Sequence, residues 1–123
     1  MHAVALTVAA AYDALGGDTD RARTTAAEGF RLAHDEGLTR TVVYVAAVLA
    51  ARRGDVETAA VLAAAAAHHA ALLGTGRNPI ANACRSLAQT AVDAHPGDLT
   101  TARQHGENMT IDELCDYTLN TLT

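Results

Sequence analysis

Apolar positions along the chain recur at helical spacing rather than in the alternation of a strand. Ala22, Ala26, Phe30 and Ala33 form one stripe, with Arg21, Arg23, Glu28, Arg31 and Asp35 away from it. That pattern predicts an amphipathic helix from Asp18 to about Glu36, closed by Gly37. Ile80, Ala83, Cys84, Leu87, Ala91 and Ala94 form a second stripe. Asn78-Pro79 starts this helix, with Asn as N-cap and Pro at the first helical position, and it ends before Pro96-Gly97. Ile111, Leu114, Cys115, Thr118 and Leu122 form a third, opened by the capping box Thr110-Ile111-Asp112-Glu113. Further helices are expected from Val56 to about Leu73, stopped by Gly74-Thr75-Gly76, and from Asp98 to about His105, stopped by Gly106. Two segments differ: His2–Leu15 and Thr39–Ala51 are apolar almost all round. Val42-Val43-Tyr44-Val45 alone also suits a buried strand, but its Ala-rich continuation and the capped helix after it favour a helix.

The helices are punctuated by a recurring element. Gly17-Asp18, Gly54-Asp55 and Gly97-Asp98 are each followed by three variable residues and then Ala, and they lie 37 and 43 residues apart. Paired-helix repeats have periods of roughly 34 to 47 residues. Gly accepts the positive φ that follows a helix end, and Asp caps the next helix by accepting a backbone N–H bond. The expectation is a single all-α domain over residues 1–123. Antiparallel helix pairs would cover about 2–37, 39–74 and 78–106, with a terminal helix over 110–122, seven helices in all.

Composition strengthens this reading. About a quarter of the residues are Ala, the best helix former, and only two are Pro. The net charge is −5 and every cationic residue is Arg, with no basic stripe, which argues against nucleic-acid binding. The apolar run from Thr41 to Ala51 is too short to span a bilayer, and the start of the chain lacks a charged leader with a cleavage site. Cys84 and Cys115 stand in no metal or redox spacing, which suggests buried thiols in a reducing compartment, the cytoplasm.

Candidate chemistry is sparse. His68-His69 are neighbours about 100° apart on a helix, so they cannot face one metal as an i, i+4 pair would, and no metal site is expected. His34, beside Asp35 and Glu36, sits where a cationic side chain suits a helix C-terminus. Cys84 lies on an apolar stripe, where a thiol is inert. The carboxylates of Asp18, Asp20, Asp55 and Glu57 fall in first helical turns and suit the macrodipole. Gly74-Thr75-Gly76 lacks the Lys-Ser/Thr of a phosphate loop. Neither a catalytic residue nor a cofactor is expected.

The all-round apolar helices carry the functional expectation. A helix apolar on every side should be buried on every side, and a chain this short can cover only part of two such helices. The remainder would meet a protein partner: another copy of the chain, giving a homodimer, or the other parts of a longer protein. The residues assigned to that surface are Val4, Val8, Tyr12, Val43, Tyr44 and Val48. A second reading is a stand-alone sensor that binds a small apolar ligand or peptide in a concave groove near Tyr12 and Tyr44.

From about Ala47 to Leu122 the chain resembles the C-terminal helical-repeat arm of large bacterial regulators. These carry a signalling ATPase core, tetratricopeptide-like repeats and often a LuxR-type DNA-binding domain. Three stretches carry the resemblance: Gly54-Asp55-Val56-Glu57-Thr58-Ala59-Ala60-Val61-Leu62, Ala70-Ala71-Leu72-Leu73-Gly74 with Asn78-Pro79, and Ala102 to Leu114 with its Gly106 and Met109-Thr110-Ile111-Asp112-Glu113. The Trp, Leu-Gly-Tyr and terminal Pro of a standard tetratricopeptide repeat are missing. So are the ATP-binding loop and the DNA-reading helix. The resemblance implies a short right-handed solenoid and a non-catalytic interaction or regulatory role, as a piece or cut-down relative of a signalling or transcription regulator.

Overall fold

A computed structural model of the chain describes residues 16–32, 36–69 and 79–122, together with residues 9, 10 and 13. The described residues form six helices and no strand. These are α1 (Thr19–Leu32), α2 (Glu36–Arg52), α3 (Val56–His68), α4 (Pro79–Ala94), α5 (Thr100–Glu107) and α6 (Ile111–Leu122). The predicted first helix falls almost wholly outside the described residues, as does the expected end of the Val56 helix at Leu73.

Local chemistry sets most boundaries. Gly54 takes a φ of +83° after α2, and the Asp55 carboxylate caps α3, accepting from the Thr58 N–H at 3.2 Å and the Thr58 hydroxyl at 2.7 Å. Gly17 repeats the geometry with a φ of +95°, and Asp18 accepts from the Arg21 N–H at 3.3 Å. The third copy departs from them. Gly97 has no positive φ, and Asp98 lies one residue ahead of the N-cap Leu99, accepting from the Thr100 N–H at 2.9 Å and the Thr100 hydroxyl at 2.6 Å. That is an Asx turn leading into α5 rather than a cap on it. The capping box forms reciprocally: the Glu113 N–H donates to the Thr110 hydroxyl oxygen at 3.1 Å, and the Thr110 N–H donates to the Glu113 carboxylate at 3.0 Å.

Two glycines read as helix stops lie inside helices. Gly37 is the second residue of α2, so that helix starts earlier than Thr39. Gly106 is buried within α5, where an added Cβ would run into the Val61 carbonyl oxygen and come within 2.9 Å of the Ala65 nitrogen. Its role is to let α5 approach the backbone of α3, which a local rule about helix ends cannot anticipate.

α2 is the hub. Packed around it are α1, α3, α4 and α6, and every residue from Thr41 to Ala50 is buried. The main core joins Val42, Val45 and Leu49 of the hub with Leu62 of α3 and Leu114 and Leu122 of α6. A smaller cluster of Ala50, Ala59, Ala60, Val92 and Leu99 lies under the turn between α2 and α3. α6 returns to touch α1, α2 and α3, and the Arg53 guanidinium donates to the Thr121 carbonyl at 3.3 Å. α4 and α5 do not pair chiefly with each other. Each packs on α3 instead, and α4 also on α2.

Candidate functional site

The residues assigned to a partner surface are not on the surface where they are described. Val43 and Val48 are fully buried and Tyr44 is 3% exposed, all within this chain's own core. Four neighbouring helices pack around α2 and bury every residue from Thr41 to Ala50. The pocket expected near Tyr44 is therefore not open at that residue. Val4, Val8 and Tyr12 lie outside the described residues.

Open concave surface lies instead on either side of α5. On one side a cleft of about 410 Å³ brings together two of the Gly-Asp elements, its lining including Asp55, Glu57, Asp98, His105 and Tyr117. The His105 and Tyr117 rings meet edge to face, with centroids 5.8 Å apart. Asp98 is held below the usual carboxylate range by the Thr100 hydroxyl first, then by the Thr100 N–H and by Arg103. Glu113 is lowered too, by the N–H and hydroxyl of Thr110 and more weakly by His105. Both shifts favour the ionised form, as suits residues that shape helix starts.

On the other side, α4 and α5 stand apart over α3 and leave a groove of about 400 Å³. Its floor is a strip of α3 methyl groups: Ala60, Ala63, Ala64 and Ala67. Gln89 and Val92 of α4 form one wall, while Arg103 and Glu107 of α5 form the other. Ala67 is exposed and Ala63 half-buried, so the floor is open to solvent. Ala63 to Ala67 is visible in the sequence as a run of alanines. Whether it would be covered depended on how α4 and α5 sit on α3, and no local pattern carries that information.

The remaining candidates have structural places. The His69 Nε2–H donates to the Met109 carbonyl oxygen at 2.6 Å, tying the end of α3 to the turn before α6, and the His68 ring meets it edge-on at 4.9 Å. Among the described residues no group of three or more His, Cys, Asp or Glu could hold a metal ion. Burial pushes the Cys84 thiol up to about 11, and burial with the nearby Asp112 and Asp116 carboxylates raises Cys115. Both cysteines are free thiols. No helix among the described residues is long and apolar enough to cross a membrane.

The predicted stripe of α4 is rotated in the structure. Cys84, Ala88 and Val92 face the core, while Ala83 and Ala94 are exposed and Leu87 is 37% exposed. The exposed side of α4 also carries Arg85, Gln89 and Asp93. The chain matches no known family model, no curated protein and no solved structure.

Proposed function

We propose that this chain is a non-catalytic protein–protein interaction module, and that its first partner is a second copy of itself, engaged at the groove between α4 and α5. One observation carries the reading: the alanine floor of α3 lies open between two helices that both pack on it. Alanine loses no rotamer freedom when covered, and small side chains let a partner helix approach closely. The polar walls, Gln89, Arg103 and Glu107, give such a helix hydrogen-bonding and charged groups at its margins.

The wider context in this proposal is a tetratricopeptide-like arm, stacked as a short right-handed solenoid, of a cytoplasmic bacterial signalling or transcription regulator. Its support is the resemblance over Ala47 to Leu122, the positive-φ Gly54 with the Asp55 cap, and the reciprocal Thr110–Glu113 box.

Sedimentation equilibrium on the wild-type chain and on Ala67→Arg tests the reading. Ala67 is exposed, so the guanidinium is tolerated by the fold while its bulk occupies the floor. The expected result is a concentration-dependent dimer in the wild type and at least about tenfold weaker association in the variant. A wild-type chain that stays monomeric, or a variant that associates equally well, overturns the proposal.

A further inference from the structure

The exposed side of α4 carries a row with a definite polarity. Arg85, Gln89 and Asp93 follow one another at i, i+4 and i+8, all exposed, and with Ser86 and Thr90 they line a shallow recess of about 360 Å³. The Gln89 amide donates to an Asp93 carboxylate oxygen at 2.9 Å, holding that carboxylate within the row. The ion pairs Arg21–Asp13 and Arg23–Asp20 involve neither end of it. Gln89 is also the α4 wall of the alanine-floored groove, so the row runs along the groove's edge.

We infer that two copies of the chain associate through antiparallel α4 helices about a twofold axis at Gln89, each Arg85 facing the partner's Asp93. A closed twofold interface uses one patch twice, so that patch must be complementary to itself. The row meets this condition in one direction only. With the helices antiparallel, cation faces anion on both sides of Gln89; with them parallel, like charges would meet. Exposed ion pairs contribute little affinity, so the row sets register and direction while covering the alanine floor supplies the attraction. Ser86 and Thr90 are short enough to leave the two backbones room to approach.

The inference rests on the self-association reading above, and a charge swap separates the two. Sedimentation equilibrium is run on the full 123-residue chain as wild type, Arg85→Asp, Asp93→Arg and the double variant, with circular dichroism to confirm equal helix content. Each single reversal sets like charges together twice in the dimer and is expected to raise the Kd about tenfold or more. The double variant restores complementarity and is expected within about threefold of wild type. A double variant as weak as the single ones, or single variants that associate like wild type, overturns the α4 pairing. A dimer lost in Ala67→Arg but indifferent to all three charge changes overturns the pairing and leaves the groove reading standing. A monomeric wild type removes both.

Discussion

Thr41–Ala50 and Ala59–Ala67 are both rich in small apolar residues, yet the fold treats them differently. In α2 the segment is sealed on every side, with no residue more than 3% exposed. In α3 the same kind of composition is sealed on one side and open on the other, where Ala63 and Ala67 face the groove. Apolar residues all round a helix therefore announce that covering is needed without saying how much of it the chain supplies. For Thr41–Ala50 the answer is all of it, because α1, α3, α4 and α6 pack around that helix. For Ala59–Ala67 it is most but not all of it, because α4 and α5 sit apart and leave Ala63, Ala64 and Ala67 partly or fully open.

The most direct way to break this comparison is to place the same side chain in both segments. Ala47→Arg puts a charge into a position with no exposed surface and no partner, and should destabilise the fold by more than about 4 kcal/mol. Ala67→Arg should change stability by less than about 0.5 kcal/mol, since it adds a helix former at an exposed site. Urea titrations followed by circular dichroism read both. Equal effects at the two positions would mean that the open groove is closed in solution.

The next largest effect concerns the wall that keeps the groove open. Gly106→Ala pushes a methyl group into the Val61 carbonyl and should destabilise by about 3 kcal/mol. Because Gly106 is inside a helix, propensity alone would favour Ala by about 1 kcal/mol. The sign of the change thus shows whether the close approach to α3 outweighs helix propensity.

The smallest effect sharpens the sealed side. Cys84 on α4 is buried, and its thiol is raised from 9.0 to about 11. A pKa raised in the folded state favours folding below the unfolded value and loses that contribution as pH climbs through the folded one. Stability should therefore fall between pH 9 and about 11, by about 2 kcal/mol in all. Cys84→Ala should flatten this slope in denaturant titrations across the same window, whatever its effect at neutral pH.

Features decided within four residues were legible in the sequence. The Thr110–Glu113 box and the Gly17-Asp18 and Gly54-Asp55 turns depend on neighbours along the chain and form as their spacing predicts. The failures have one physical source. Gly97-Asp98 has the same letters but follows Pro96, and its Asp bonds two residues on instead of three. Gly106 satisfies the rule for a helix end, but its close approach to α3, 41 to 45 residues earlier, decides its place. On α4, Ala83 and Leu87 fit an apolar stripe as well as Ala88 and Val92 do. The notch between α2 and α3 accepts the latter pair and leaves Leu87 partly exposed. The candidate site was less legible than the fold for the same reason. Val43, Tyr44 and Val48 are assigned from their apolar surroundings to a partner surface, but helices from both sides of the sequence bury them within this chain.

One consequence of α5 concerns time rather than shape. Eight residues are too few to hold a helix alone, and among the described helices α5 packs chiefly on α3. Its amide protons should therefore exchange with solvent well before those of α2, through openings that leave the rest of the protein folded. Each such opening removes one wall of the groove and merges it with the acidic cleft on the other side. The span of surface a partner meets would then fluctuate with the lifetime of a single short helix.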